Sequence, residues 1–345
     1  MLPSALVHAP TVDGAVRAAV AGLADELRGI DGALDPVADA LVEAGAGGKR
    51  LRGALVCWSF LAHGGPAAAD VLGAAVAVEL VHLSALIHDD IIDRADTRRG
   101  RPSVHARFAA ASGDEDHGRV VAILLGDAVL AAAPAPLETC SVDADALARA
   151  RSALVRLQIE VMAGQYLDVD AVVRRDANPA RALTIATLKS GRYSVARPLE
   201  LGALLAGAPN ADAERLVAVG DPIGVAFQLR DDLLGVFGDP DVTGKPAGAD
   251  LVEGKRTLLV AETLARLPEV DRARLDAALG AAGTDAAEVT ALTAMVEACG
   301  ARAAIEARIV RLQDEAREAA AALGLDAGAA TALDELAGWA ATRHG

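Results

Sequence analysis

The spacing of apolar residues along the chain predicts helices almost throughout. Residues 11–28 carry Val12, Val16, Val20, Leu23 and Leu27 at steps of three and four, which places them on one face of an amphipathic helix. A second helix is predicted to begin at Asp35-Pro36 and to stop in the glycine cluster of GAGGKRLR. The pattern predicts further helices up to about Leu61 and near 115–133, 143–163, 180–191 and 193–206.

Two segments are apolar on nearly every side and are predicted to be buried central helices. One runs from Ala67 to about Asp93, and the other from about Asp212 to Phe237, with a possible kink at Pro222. A basic loop at 98–105 follows the first, and a glycine-rich loop at 238–254 follows the second. Because no linker or fixed-period repeat separates these segments, we expect one all-α domain over residues 1–345.

Composition narrows the class of protein. The chain has 345 residues, 53% apolar but only 2% aromatic, so its core must consist largely of Ala, Val and Leu, which suits helices. A net charge of −15 argues against a nucleic-acid partner. Cys57, Cys140 and Cys299 are too scattered to predict a disulfide or a zinc site. The chain has neither an uninterrupted apolar span nor a recognisable signal peptide, so we expect a cytoplasmic protein with no membrane span.

Asp89, Asp90 and Asp93 stand where the first buried helix is predicted to end. Asp89 and Asp93 are four residues apart, so their carboxylates project from one helix face about one turn apart. Like charges repel there and also oppose the helix dipole, which favours a bound cation. Mg²⁺ suits such hard oxygen ligands and commonly bridges carboxylates to phosphates, although an acidic helix end facing water has the same pattern.

A second acidic pair, Asp231 and Asp232, follows Gln228 at the end of the second buried helix. Two such helix ends facing one another would hold several Mg²⁺ ions. The position four residues after Asp231 is Gly235, so the second site is expected to have fewer carboxylates than the first.

Basic residues cluster near these motifs although the chain as a whole is acidic. A single cluster is typical of a solvated helix end, whereas several beside glycine-containing loops favour a ligand with a diphosphate group. The clustered residues are Lys49, Arg50 and Arg52; Arg98, Arg99 and Arg101; Lys189 and Arg192; and Lys245, Lys255 and Arg256.

Other motifs fit the sequence less well. GGKR lacks the Ser or Thr that follows the lysine of a P-loop. The pair His88-Asp89 is also typical of helical metal-dependent phosphohydrolases, but that reading leaves GGKRLR and the second acidic pair unexplained. Glu79 and His82 have the Glu-x-x-His spacing of di-iron bundles, which require a second such motif.

The ordered set GGKRLR, His82, DDIID, RRGRP, LKSG and FQLRDD with TGKPAGADLVEGKRT resembles the trans-prenyltransferases, or isoprenyl diphosphate synthases. The resemblance covers residues 45–260. It implies a large helical bundle around an apolar cavity, Mg²⁺ as cofactor, and usually a homodimer. It also implies head-to-tail condensation of isopentenyl diphosphate with an allylic diphosphate.

Roles carry over residue by residue from the resemblance. Lys49, Arg52, His82 and Arg99 match the anchors of isopentenyl diphosphate. Asp89 and Asp93, supported by Asp90, match the first metal site, and Asp231, beside Asp232, matches the second. Arg98, Lys189, Lys245 and Lys255 match contacts to the allylic diphosphate. Ser190 stands where the family often has Thr, and Gln228 matches the family's glutamine before the second acidic pair.

Product length is predicted from the positions five and four residues before Asp89. These are Ser84 and Ala85, slightly more than one turn below the predicted metal site, and no aromatic residue occurs between Phe60 and Phe108. The resemblance implies that bulky aromatic residues at these positions close the bottom of the cavity and stop growth of the product chain at fifteen carbons. We therefore expect geranylgeranyl diphosphate, then longer polyprenyl products, then farnesyl diphosphate. A modulatory subunit of a heteromeric synthase and a terpene cyclase remain alternatives.

Overall fold

The computed structural model describes residues 3–239, 246–281 and 283–342. Its regular structure is helical apart from one antiparallel pair in the described ranges, β1 (Thr97–Arg98) and β2 (Arg101–Pro102). The all-α prediction is confirmed. The chain divides into two compact units: the first comprises Leu6–Leu154 and Leu201–Ala208, and the second Met1–Ala5, Val155–Glu200 and Pro209–Gly345. That the whole chain acts as one domain stays a prediction.

Helices of the first unit follow the predicted apolar faces closely. In its first helix Val12, Val16, Val20 and Ala24 are buried at four-residue steps, as one helix face requires. The helices are α1 (Ala9–Ile30), α2 (Asp35–Gly45), α3 (Leu51–Ala62), α4 (Leu72–Ile92), α5 (Val104–Ser112), α6 (Glu115–Ala132) and the first part of α7 (Ala144–Arg174).

Helix α3 packs very closely against α4 near the glycine-rich segment 45–48. A Cβ atom on Gly53 would lie 2.9 Å from the carbonyl oxygen of Ala75, so only glycine permits this approach. Helix α4 is buried along most of its length and ends at the first acidic motif. The close contact therefore brings the GGKRLR segment beside the middle of α4.

Two helical segments, Ala68–Ile92 and Glu115–Thr139, are long and apolar enough to cross a membrane by length and composition. Within the protein, 72% of the most apolar window of the first and 33% of that of the second are buried. A core helix passes the same test, so the finding is weak evidence for a span. The expectation of a protein without one stays a prediction.

Helix α5 was missed by the sequence interpretation, which assigned the basic segment to a loop. Ser103 caps its first turn by accepting a hydrogen bond from the Ala106 N–H, and Gly113 ends it with a left-handed backbone. The apolar pattern is weak because α5 buries only Val104. Ser103 and Gly113, the residues typical of helix ends, were the sequence evidence for this helix.

The second unit holds the rest of α7 and the elements that follow it. Predicted helix ends at 163 and at 191–193 were wrong, because α7 continues to Arg174 and a π-helix spans Thr187–Ala196. Gly164 follows the first of these predicted ends and Gly191 stands at the second, and both glycines permit close packing within continuous helical structure. A Cβ on Gly164 would lie 2.7 Å from the backbone nitrogen of Lys189, and Gly191 packs against Gly224.

The remaining helices form the core of the second unit around one long central helix. That helix, α10 (Asn210–Phe237), continues through Pro222 and packs on α15 (Ala301–Ala321) and α16 (Ala327–Thr342). Leu229, Leu233, Ile305 and Ile309 are buried in this core. The helices are α8 (Pro179–Ala186), α9 (Arg197–Leu205), which ends in the first unit, α10 (Asn210–Phe237), α11 (Ala249–Val252), α12 (Leu258–Arg266), α13 (Glu269–Ala278), α14 (Ala286–Ala298), α15 (Ala301–Ala321) and α16 (Ala327–Thr342).

Candidate active site

The first acidic motif lies at the C-terminal end of α4. The N–H of Asp93 donates to the carbonyl oxygen of Asp89 at 2.8 Å, so the two residues are one helical turn apart, as predicted. Asp89 is partly buried and Asp93 is exposed, whereas Asp90 is buried. Both Nε and Nη2 of Arg98 donate to Oδ1 of Asp90, at 2.7 and 2.6 Å. Asp90 therefore anchors the β1–β2 hairpin through Arg98, whereas Asp89 and Asp93 are accessible to solvent.

The glycine-rich segment before α3 is shaped by left-handed backbone and by Arg99. Gly47 and Gly48 have φ angles of 74° and 107°, which glycine adopts without strain. Nη1 of Arg99 donates to the carbonyl oxygen of Ala46 at 2.9 Å, and a Cβ on Gly48 would lie 2.9 Å from Nη2 of Arg99. These contacts place a guanidinium group directly beside this backbone, with Lys49 exposed next to it.

Arg50 turns inward and anchors the same segment. Its φ of 48° is left-handed, which costs energy for a residue with a Cβ, and its side chain is buried. The guanidinium donates to Asp13 at 3.0 Å and to the carbonyl oxygen of Gly45 at 2.6 Å, and lies 3.7 Å from a carboxylate oxygen of Glu79. Arg50 is thus a structural residue within the basic cluster.

His82 lies on α4 among guanidinium groups. Burial lowers its pKa well below the ordinary value, and the positive charges of Arg52, Arg99, Arg98 and Arg50 lower it further. The imidazole is therefore neutral at physiological pH. It can donate one hydrogen bond in a strongly positive environment suited to an anion.

In the second unit a chain of hydrogen bonds joins the π-helix to α10. The hydroxyl of Ser190 donates to Oε1 of Gln228, and Nε2 of Gln228 donates to Oδ1 of Asp232 at 2.7 Å. Glycines permit this packing: a Cβ on Gly224 would lie 2.4 Å from the Cα of Gly191. The predicted residues Ser190 and Asp232 are therefore linked by hydrogen bonds through Gln228.

A cavity of about 430 Å³ opens beside these residues. Nζ of Lys189 donates to Asp168 of α7 at 2.8 Å, and Nζ of Lys255 lies 3.5 Å from Oδ1 of Asp250. Asp168, Lys189, Asp231, Asp250 and Lys255 all line the cavity. Its wall thus combines carboxylates with two ammonium groups, as a ligand made of metal and diphosphate would require.

Burial and neighbouring carboxylates act together on the pKa of Asp232. Burial raises its pKa well above the ordinary value, and the charges of Asp250, Asp231 and Asp168 raise it further, against the lowering effect of the Gln228 hydrogen bond. A cation among these groups would relieve their repulsion.

The donor set fits Mg²⁺. Both acidic motifs offer only carboxylate oxygens, the ligands that hard cations prefer. In the ranges that the structure describes, no three His, Cys, Asp or Glu side chains converge as a ready-made metal cage. Mg²⁺ does not require one, because it is usually bound by one or two carboxylates together with water and substrate phosphates.

Comparison with known proteins identifies the family. The family model described as "Polyprenyl synthetase" matches residues 33–296. The chain belongs to the polyprenyl synthetase family. It is 36% identical over 300 residues to (2E,6E)-farnesyl diphosphate synthase of Mycobacterium tuberculosis, covering 86% of this chain and 80% of that protein. It is also 36% identical over 298 residues to geranylgeranyl diphosphate synthase of the same species, covering 81% and 79%.

A solved structure agrees over almost the whole chain. Geranylgeranyl pyrophosphate synthase of Corynebacterium glutamicum, complexed with isoprenyl diphosphate and magnesium, is 35% identical with a TM-score of 0.87. The match covers 96% of this chain and 98% of that one. The resemblance to trans-isoprenyl diphosphate synthases is therefore confirmed, and the protein is a prenyltransferase.

Within this polyprenyl synthetase, the structure groups the predicted residues by unit. Those of the first unit lie around the end of α4 and the segment before α3, and those of the second line one cavity or contact its wall. Lys245 lies outside the described residues. Their individual roles stay predictions.

Three residues that contact the predicted ones were not assigned to the site from the sequence. Asp168 is the partner of Lys189, Asp250 lies beside Lys255, and Glu79 supports the GGKRLR segment. Asp250 lies inside the quoted segment TGKPAGADLVEGKRT, whereas Asp168 belongs to none of the quoted motifs and had no sequence signal. For Glu79 the signal was a charge in the middle of an otherwise apolar helix.

Proposed function

We propose that this prenyltransferase condenses isopentenyl diphosphate with an allylic diphosphate in a Mg²⁺-dependent reaction that releases diphosphate. The observation that carries the proposal is the pairing of each acidic motif with cationic side chains. In the first unit Asp89 and Asp93 interact electrostatically with Arg98, one of the guanidinium groups around His82, and in the second Asp231 shares a cavity with Lys189 and Lys255.

The chemistry requires that the allylic carbon–oxygen bond break with its electron pair going to diphosphate. Asp89 and Asp93 in the first unit and Asp231 in the second would hold Mg²⁺, which when bound would supply positive charge to offset that of the leaving group. Lys189 and Lys255 add positive charge on the wall of the second cavity. The π electrons of isopentenyl diphosphate then form the new carbon–carbon bond, and the departing diphosphate is the acceptor for the proton that is lost.

The segment before α3 is assigned to isopentenyl diphosphate. Lys49 is exposed beside Gly48, Arg99 lies against the same backbone, and neutral His82 can donate a hydrogen bond without adding charge. Arg groups match phosphate oxygens with two donors at once, which fixes orientation as well as affinity. Arg98 is held by Asp90 and lies at the edge of this group.

The decisive test is turnover of the purified chain with Mg²⁺, isopentenyl diphosphate and each allylic primer in turn. We expect product with both substrates together and none with the allylic diphosphate alone, which separates this function from a terpene cyclase. Asp89→Asn and Asp93→Asn should lower kcat by orders of magnitude while the fold is retained. Activity that needs a second polypeptide would instead indicate a subunit of a heteromeric synthase.

Geranylgeranyl diphosphate is the proposed product. The relatives that make fifteen- and twenty-carbon chains are equally similar to this protein, so the argument rests on α4. Ser84 is buried and Ala85 is partly buried, and neither is large enough to close a tunnel. Tyr166, an aromatic considered as a floor, has 66% of its surface exposed.

Substitution on α4 tests product length directly. Ala85→Phe should shorten the product to fifteen carbons or fewer without abolishing the first condensation. Leu86→Phe, at the next position of α4, is the comparison variant, because Leu86 lines a cavity with Leu83, Ile87 and Asp90 and Ala85 is not among the residues that line it. A wild-type product of fifteen carbons, or an unchanged product in Ala85→Phe, would contradict the assignment.

We further propose that the protein works as a cytoplasmic homodimer. Helix α7 exposes a regular apolar stripe, and large exposed apolar patches mark protein interfaces. A Met162→Asp variant should therefore sediment as a monomer under conditions where the wild type sediments as a dimer. The stripe consists of Val155, Ile159, Met162, Tyr166, Val169 and Val173.

A further inference from the structure

Gly235 occupies the position where the second acidic motif departs from the first. In the first motif Asp89 and Asp93 are four residues apart and share a helix face. In the second, the position four residues after Asp231 on α10 is Gly235, which has no side chain. Helix geometry alone would leave this face of α10 one carboxylate short.

A carboxylate from another element fills that space. A Cβ atom built on Gly235 would lie 2.0 Å from Oδ2, 2.4 Å from Cγ and 2.9 Å from Oδ1 of Asp250. Asp250 belongs to the short helix α11, is buried, and lines the same cavity as Asp231, Asp232 and Gly235. The carboxylate of Asp250 therefore occupies the volume into which a side chain at position 235 would project.

The local backbone holds Asp250 in this position. Gly248 precedes α11 with a φ of 77°, and a side chain there would contact Val289. The N–H of Lys255 donates to the carbonyl oxygen of Asp250 at 3.0 Å, which closes the turn after α11. The carboxylate is thus placed by the fold of the segment and not by a flexible surface loop.

We propose that Asp250 supplies the third carboxylate of the second metal site, in place of the side chain that Gly235 lacks. The proposal rests on the proposed function, because it adds a residue to the Mg²⁺ and diphosphate site of that function. It also explains why position 235 is glycine, since any larger residue would displace the Asp250 carboxylate.

A purely structural role for Asp250 makes a different prediction. Nζ of Lys255 lies 2.7 Å from Glu253 and 3.5 Å from Asp250, so Glu253 is its nearer ion-pair partner. If Asp250 served only to hold Lys255, then Glu253→Gln would have at least as large an effect as Asp250→Asn. Glu253→Gln is therefore the matched control: an acidic residue three positions along, exposed, and not part of the cavity wall.

Binding of Mn²⁺ tests the proposal without requiring turnover. Mn²⁺ replaces Mg²⁺, inorganic diphosphate replaces the substrate, and electron paramagnetic resonance measures the free ion. All variants carry Asp89→Asn, so that the first motif contributes little. We expect Asp250→Asn to raise the Mn²⁺ dissociation constant about 10–100-fold, as loss of a supporting metal-site group commonly does, and Glu253→Gln to leave it within about twofold.

Moving the carboxylate provides the sharper comparison. Gly235→Asp alone should weaken Mn²⁺ binding, because its side chain collides with Asp250. The double variant Gly235→Asp with Asp250→Gly should bind Mn²⁺ at least tenfold more tightly than Asp250→Gly alone, because the carboxylate then returns from α10. Thermal unfolding of each variant in EDTA identifies any that fails to fold, and Asp250→Asn keeps nearly the native shape in any case.

The outcomes separate this proposal from the proposed function. An Mn²⁺ affinity in Asp250→Asn equal to that of its Asp89→Asn parent, or no recovery in a folded double variant, would overturn the role of Asp250 even if the enzyme makes prenyl diphosphates. Absence of prenyl product from wild type, together with Mn²⁺ binding that depends on Asp250, would overturn the proposed reaction and leave this metal site standing.

Discussion

Glu79 is a charged residue in the middle of a buried helix, and its removal is the most informative perturbation of the first unit. Its side chain is 2% exposed, and Oε1 accepts a hydrogen bond from the N–H of Gly53 at 3.0 Å. Gly53 lies in the first turn of α3, where backbone donors have no partner within the helix. Arg50, the N-cap residue, makes no side-chain cap, so Glu79 performs this function from α4.

The expected loss of folding stability follows from the two contacts that Glu79→Ala would remove. Loss of a charge-assisted hydrogen bond to a buried donor costs about 1.5–3 kcal/mol. Loss of one partner of a buried ion pair costs about 3–5 kcal/mol, because the remaining charge is left uncompensated. Arg50 keeps Asp13 at 3.0 Å and the Gly45 carbonyl at 2.6 Å, so we expect a value near the lower limit, about 3 kcal/mol.

Urea unfolding followed by circular dichroism measures this effect. The matched control is Asp39→Ala, which removes an exposed carboxylate 2.8 Å from Arg28 and should cost less than about 1 kcal/mol. Glu79→Ala should also raise the KM for isopentenyl diphosphate more than that for the allylic substrate, since Arg50 anchors the segment carrying Lys49. A loss of stability no greater than that of Asp39→Ala would refute the reasoning.

Three further predictions follow from the same geometry. The pKa of His82 is lowered in the folded state, so unfolded chains take up the proton first as pH falls below about 6.5. The free energy of unfolding should therefore fall by up to about 1.4 kcal/mol per pH unit below that pH. If His82→Gln shows the same dependence of unfolding free energy on pH, His82 is not its cause. Gly224→Ala should lower the free energy of unfolding in urea by about 1–3 kcal/mol and lower activity, because the new Cβ meets Gly191. The control Gly22→Ala, whose Cβ would have nothing within 4 Å, should stabilise the protein by up to about 1 kcal/mol. Equal effects of the two substitutions would contradict the packing argument. Lys49→Ala and Arg52→Ala should each raise the KM for isopentenyl diphosphate about ten- to a hundredfold, and an equal rise for the allylic substrate would remove the assignment of separate pockets.

The fold was predictable wherever one periodic face decides local structure. Helix α1 is recognised from valines at four-residue steps, and α4 and α10 from apolar residues on every side. Errors occurred at Gly164 and Gly191, where a residue that usually ends a helix instead permits contact with another segment. One sequence does not distinguish these two uses of glycine, because the difference lies in the neighbour and not in the residue.

Candidate site residues divide in the same way. Asp89 and Asp93 were identified together because the helix period alone places them on one face. Gln228 and Asp232 are likewise four residues apart on α10, and the hydrogen bond between their side chains is a helix-period contact. Asp168 and Asp250 approach these residues from other elements, and their placement depends on tertiary packing that no local spacing encodes.

Gly235 shows that an apparent defect in a motif is itself structural information. On its own, the absent side chain indicates a second metal site with fewer carboxylates than the first, which is what the spacing predicts. A glycine facing a polar cavity from a long helix is costly, because glycine lowers helix stability by about 1 kcal/mol relative to alanine. Its presence at position 235 is explained by the Asp250 carboxylate, which lies where any side chain would begin. Where a motif has glycine, and not another side chain, in place of its functional residue, the glycine therefore indicates that a neighbouring element occupies that space.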